Sequence, residues 1–126
     1  MSNRSLGGTD LNQYTFGVVG GTGPNNIGLL IKTWGIVTYV NTTERFFYIN
    51  DGSNLYDGST SRPAPDNSPV LGVRVSYADM VAGAIPVDVP EEGEFAVVTG
   101  ISSTLMVGDD IRPLVRVSSG RNVVTF

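Results

Sequence analysis

The run Leu29-Leu30-Ile31-Lys32-Thr33-Trp34-Gly35-Ile36-Val37-Thr38-Tyr39-Val40 constrains this chain more than any other stretch. It is β-branched and aromatic almost throughout, with a glycine near its centre. Such side chains lose rotamer freedom in a helix and pack well on a pleated surface, so the run reads as one long strand. Gly35 predicts a bulge or bend, the device by which a strand curls into a barrel. Trp34 and Val37 flank that bend, where a barrel needs bulk on its inner side, so both are expected in the core.

The next residues keep the same period-two grammar. Asn41 to Glu44 is a turn into Arg45-Phe46-Phe47-Tyr48-Ile49-Asn50, which completes a β-hairpin. Asn50-Asp51-Gly52-Ser53 ends that strand with turn chemistry. Further strands are expected at Val70–Tyr77, Phe95–Ile101 and Ile111–Val117, with Val123–Phe126 closing the sheet. Pro113 has no amide donor, which places its part of the fifth strand at an edge or bulge. Asn54 to Pro69 is a proline-rich polar segment without hydrophobic periodicity and reads as a surface loop. Ala78–Ala82 is the only candidate for a helical turn. Five strands, with helix conceivable only between the third and fourth, predict an all-β fold: a five-stranded OB-like barrel over residues 29–126. An immunoglobulin-type sandwich would need about seven short strands and its cysteine landmarks.

Residues 1–28 differ in kind. Gly7, Gly8, Gly17, Gly20, Gly21, Gly23 and Gly28 make them a Gly-rich extended arm. Within it only Tyr14 to Val19 alternates like a strand, with Tyr14, Phe16 and Val18 on one face. At ~3.3 Å per extended residue the tether over 20–28 reaches either its own barrel or a neighbour's. An open sheet edge invites strand addition. Pairing with its own barrel would cover an aromatic face and leave a monomer. Pairing with the next molecule would be head-to-tail and non-closing, and would build filaments. The intermolecular version is the leading expectation.

Composition narrows the chemistry. The 126 residues contain no Cys and no His, which removes thiol nucleophiles, imidazole bases and the usual zinc ligands. The net charge is −4 and only 16% of residues are charged, below the roughly 25% of ordinary domains. Lys32 and the arginines are scattered singly rather than gathered into the basic stripe that phosphate binding requires. Nucleic acid is therefore not the expected partner. No stretch approaches the ~18 apolar residues of a membrane span. The start, Met1-Ser2-Asn3-Arg4, lacks the apolar segment of a signal peptide, so an exported parent would imply a mature fragment.

Several segments are similar to a known recurring domain. Trp34-Gly35-Ile36-Val37-Thr38-Tyr39-Val40, Phe47-Tyr48-Ile49-Asn50-Asp51-Gly52-Ser53, Gly72-Val73-Arg74-Val75 and Val98-Thr99-Gly100-Ile101-Ser102-Ser103 resemble an OB-like domain found in large exported proteins of environmental bacteria. Asn25-Asn26-Ile27-Gly28-Leu29-Leu30 fits as well, so the resemblance spans roughly residues 25 to 118. It rests on strand and turn signatures. It implies an extracellular, modular setting and no catalytic residues to carry over.

Each motif has a functional and a bland reading. Gly23 and Gly28 have the spacing of a phosphate-binding loop, but Leu29 and Leu30 stand where Lys and Ser or Thr are required. Asp51 and Asp57 gather oxygen donors that calcium would accept, without EF-hand spacing, and they read equally as turn caps. Glu91, Glu92 and Glu94, and Asp109 with Asp110, are adjacent acids of a kind more common as solvated strand ends than as a glycosidase pair. Asn3-Arg4-Ser5 and Asn41-Thr42-Thr43 have the form of glycosylation acceptors. The stronger signal is aromatic. Phe46 and Tyr48 share one face of their strand and Phe47 and Ile49 the other, so one pair points into the barrel. With Arg45 and Arg74, the remaining pair would form the stacking face on which OB-folds hold ligands, unless the arm lies over it. The expected function is a non-catalytic extracellular structural or interaction module without cofactor or metal. Its expected partner is itself or another surface protein. The alternative is an OB-fold binder of oligosaccharide or single-stranded nucleic acid.

Overall fold

A computed structural model describes residues 1–10 and 16–126. The fold is all-β: β1 (Leu30–Asn41), β2 (Phe46–Asn50), β3 (Val73–Ser76), β4 (Phe95–Val107), β5 (Asp110–Arg116) and β6 (Val123–Thr125). Two single 3-10 turns, Asn3–Ser5 and Gly120–Asn122, are the only helical pieces among the described residues. Ala78–Ala82, expected as a helical turn, is turn and coil.

The sheet runs β1-β2-β3-β5-β4-β6, and β1 also pairs with β4, so five strands form a closed ring of pairings. All contacts in the ring are antiparallel except β3 with β5. The two long strands make closure possible. β1 pairs with β4 through Leu30–Ile36 and with β2 through Ile36–Asn41, so each half serves a different neighbour. β4 does the same, meeting β1 over Phe95–Ile101 and β5 over Ile101–Val107.

The irregularity of β1 falls between Val37 and Tyr39, not at Gly35. Gly35 is needed for a different reason: a Cβ there would lie 2.6 Å from the carbonyl carbon of Asn50. This placement corrects the expectation for Trp34. With regular pleating from Leu30 to Val37, alternate residues face alternate ways, and Ile31, Thr33, Gly35 and Val37 are buried while Leu30, Lys32, Trp34 and Ile36 are exposed. Trp34 and Val37 are three residues apart, so without a bulge between them they point to opposite faces. Val37 is in the core, and Trp34, 38% exposed, is outside it.

Inside the ring, Ile31, Val37, Phe47, Ile49, Val73, Val75, Ala96, Val98 and Val115 form one cluster. Leu6 of the arm belongs to the same cluster and is almost fully buried. Beside it, Asn3 brings its side-chain amide to the one polar side chain on the inner face of β1. Its Nδ2 donates to Thr33 Oγ1 at 2.8 Å and to the Trp34 carbonyl. Asn3 and Asp51 also exchange hydrogen bonds, each backbone amide donating to the other's side chain at 2.9 Å. Thus the arm, expected as an extended segment outside the barrel of residues 29–126, sends Leu6 into the core as a plug, with Asn3 bonded beside it. Asn3, a candidate glycosylation site by sequence, is only 1% exposed and already hydrogen-bonded.

Candidate interaction faces

The outer side of β2 and β3 is the face on which sequence placed ligand binding. Phe47 and Ile49 point inward, and Phe46, Tyr48 and Arg74 lie together on the other side. They are not open. The segment between β2 and β3 folds back over them: Val70 N–H donates to the Thr60 carbonyl, and Val70 packs with Phe46 and Tyr48 in a second small cluster. Tyr48 is fully buried and Phe46 nearly so.

Beneath this cover lies a satisfied polar network. The Tyr48 hydroxyl donates to Asp57 Oδ2 at 2.6 Å and sits 2.8 Å from Ser59 Oγ. Asp57 also accepts from the Ser59 amide and hydroxyl. Arg74 stacks its guanidinium 4.0 Å from the Phe46 ring centre, and its Nε and Nη2 donate to Tyr48, Ser59 and Thr60. The aromatic face and its cation, which a bound base or sugar ring would need, are used by the protein's own loop. Burial, together with the hydrogen bond to Asp57, raises the Tyr48 phenol above its ordinary value. The arm was expected to provide any such cover; the proline-rich loop provides it instead. A polar stretch with no periodicity hides that role because its contribution is one valine, one carboxylate and a set of hydroxyls. Arg45 is not part of this group: it is exposed, has a left-handed backbone, and borders a separate concavity with Tyr77, Met80 and Val87.

The two acids considered for calcium are used separately. Asp57 belongs to the Tyr48 network, whereas Asp51 accepts from the Asn3 and Ser53 amides. Burial works to raise the Asp51 carboxyl, but hydrogen bonds from Ser53 and Asn3 together hold it below its ordinary value. Among the described residues no three acids converge as metal ligands would.

Of the three arm residues singled out for assembly, Tyr14 lies outside the described residues. Phe16 is half exposed and Val18 half-buried, and neither is in a strand. The described part of the arm contacts its own barrel: the Val19 amide donates to the Ile111 carbonyl at 2.8 Å, and Gly28 to that of Ser102 at 2.7 Å. β3 pairs with β5 only at Leu114–Arg116, so Val19 reaches a stretch of β5 that β3 leaves open. That stretch contains Pro113. Between arm, loop and β5 remains a cavity of about 50 Å³ touching Leu6, Val18, Leu55, Asp57 and Arg112. Arg112 Nε finds no hydrogen-bond partner among the described residues. The space suits a few waters, each needing about 10–15 Å³, and is far below an ordinary ligand pocket.

Among the described residues nothing covers the outer side of β1, β4 and β6 in this way. Register sets its rows: Leu30 beside Ile101, Lys32 beside Thr99, Trp34 beside Val97 and Val124, Ile36 beside Phe95. Phe126 follows on from β6, and its ring centre is 6.0 Å from that of Phe95. Leu30 is 67% exposed and Phe126 75%; Trp34, Ile36, Phe95, Ile101 and Val124 each expose over a third of their surface. Lys32 is the one charged residue within these rows. Sequence reasoning missed this face because it assigned the strongest residue on it, Trp34, to the core. Strand parity through an unbulged Gly35 was the available signal.

Compared with protein-family models, with curated proteins and with solved structures, the chain matches none.

Proposed function

We propose that this chain is a non-catalytic interaction module whose binding surface is the outer face of β1, β4 and β6. One observation carries the reading: a continuous, nearly uncharged face of large apolar side chains on a sheet that is otherwise well packed. A soluble monomer's largest apolar patch is about 300–600 Å², and seven large apolar side chains left partly open on one face reach the top of that range or pass it. Maintaining Leu30, Trp34, Ile36 and Phe95 on the solvent side of two strands has no benefit to the fold that Thr or Lys would not also give.

The ring order β1-β2-β3-β5-β4, closing on β1 with β3 parallel to β5, supports assigning the module to the OB-like barrels. The usual ligand face of such barrels corresponds to the one that the loop and Arg74 occupy. That favours a protein-contact role over the oligosaccharide or single-strand binding that a bare Phe46–Tyr48 face would have suggested. We place the module in a larger extracellular protein on the strength of its sequence resemblance.

The test is to polarise the face and follow fold and stickiness separately. A Trp34→Thr, Phe126→Ser double variant is expected to melt cooperatively and to lose most of its fluorescence with a dye that reports exposed apolar surface. Unchanged dye binding, or loss of the cooperative melt, would overturn the assignment.

A further inference from the structure

Resting on that reading, we propose that the partner of the β1–β4–β6 face is a second copy of this chain, packed sheet against sheet as a two-fold dimer. The first reason is area. A large side chain presents about 150–250 Å² when fully bare. Scaled by the exposures of Leu30, Trp34, Ile36, Phe95, Ile101, Val124 and Phe126, the face offers about 500–850 Å² of surface. A standard specific interface buries about 800 Å² per partner. The face is therefore comparable in size to one half of a standard dimer interface.

The second reason is charge. Interfaces between identical subunits are more apolar than the general surface and are depleted of charge at their centre. The chain's net charge of −4 is borne away from these rows. Lys32 lies among them, and Asp51 borders the groove beside Trp34 and Ile36. Two copies meeting here bring no Asp or Glu side chain from within these rows together, and Lys32 can run its stem along the face while its ammonium stays at the edge.

The third reason is shape. Sheets stack about 10 Å apart when large and small side chains interdigitate. Trp34 stands beside the smaller Val97 and Val124, and the large pair Ile36 and Phe95 is followed along the strands by that row and by Thr99. An isologous pairing can therefore set the large residues of one copy against the small ones of the other.

Trp34 is the chain's single tryptophan, so the whole protein reports on its own face. Sedimentation of the full 126-residue chain is expected to give twice the monomer mass at high concentration. Over the same range Trp34 emission should shift to the blue and become less quenchable by acrylamide. Ile36→Glu and Val124→Glu should each raise the dissociation constant at least about tenfold, as truncating an interface centre does. Val81→Glu, 76% exposed and away from these rows, should leave it unchanged. Both glutamate variants sit on solvent-facing positions, and if one fails to fold the other, with the wild-type emission change, carries the test. A wild type that stays monomeric with Trp34 freely quenched would overturn the second copy and leave the interaction face standing. A monomer whose Trp34 resists quenching would overturn both. A dimer that survives both glutamates, or is lost equally in Val81→Glu, would place the contact elsewhere and overturn the proposal.

Discussion

Two outer faces of one ring, both rich in aromatics, have opposite fates. On β2–β3, Phe46 and Tyr48 are roofed by the Asn54–Val70 segment, and their cation and hydroxyls are consumed internally. On β1–β4–β6, Trp34, Ile36 and Phe95 have comparable bulk and no roof among the described residues. The difference lies in where the chain goes after each strand. β2 leads into a long loop ending in Val70, which returns to its own sheet. β1 turns directly into β2, and Phe126, next to β6, adds to the bare face instead of covering it. Strand alternation thus defines faces, but loops decide which face becomes core and which becomes surface.

The largest test of this contrast is to empty the roofed face. Tyr48→Ala should cost about 3–5 kcal/mol in chemical denaturation, the range for deleting a buried aromatic. A loss under about 1 kcal/mol, the size of an ordinary surface change, would mean that the roof is not packed in solution. Next in size is the network beneath it. Asp57→Ala leaves the Tyr48 hydroxyl and the Ser59 donors without their acceptor, and should cost about 1–3 kcal/mol, the penalty of stranding buried polar groups. An equal loss in a background that already carries Tyr48→Phe would show that the two residues do not act together.

The same network gives a pH dependence confined to the roofed face. The Tyr48 phenol is raised in the folded state by burial and by Asp57. A raised folded pKa contributes stability that is complete below the unfolded value, about 10 for tyrosine. That contribution disappears as pH rises from there through the folded value. Stability should therefore fall above about pH 10, and Tyr48→Phe should flatten that decline. An unchanged alkaline slope in Tyr48→Phe would assign it to another group, Tyr77 being next, since burial raises it too.

How legible this was in the sequence depended on the kind of signal. Strands were legible because β-branched alternation is local: the hairpin, the third and fifth strands and the position of Pro113 could all be read from neighbours a few residues apart. β4 runs on to Val107, beyond the expected Ile101, because Ser102 to Thr104 look like turn residues when their ladder partners on β5 are unknown. The site was less legible. Of the four residues grouped as a ligand face, Phe46, Tyr48 and Arg74 lie together and Arg45 does not, and the cover over the three comes from a loop whose contacts have no period. Trp34 was misplaced by assigning the irregularity to Gly35 when it lies beyond Val37. Asn3 and Leu6 gave no local sign of their role, because a plug is defined by what it fills.

The smallest expected effect is also the one that separates the two faces most sharply. Trp34 has the bulk of a core residue, and a fully buried indole replaced by alanine would cost about 3–5 kcal/mol. In this structure the residue is more than a third exposed, and its neighbours across the strands are Val97 and, beyond it, Val124. Threonine keeps the β-branch that suits a strand, and host-protein scales at such positions span about 1 kcal/mol in all. Trp34→Thr, measured at a concentration where the chain is monomeric, should therefore change the unfolding free energy by no more than about 1 kcal/mol. Measured where copies associate, the same substitution should cost more, because stability then includes the contact that forms only between folded chains. A concentration-independent loss near that of Tyr48→Ala would erase the distinction between the faces and return Trp34 to the core.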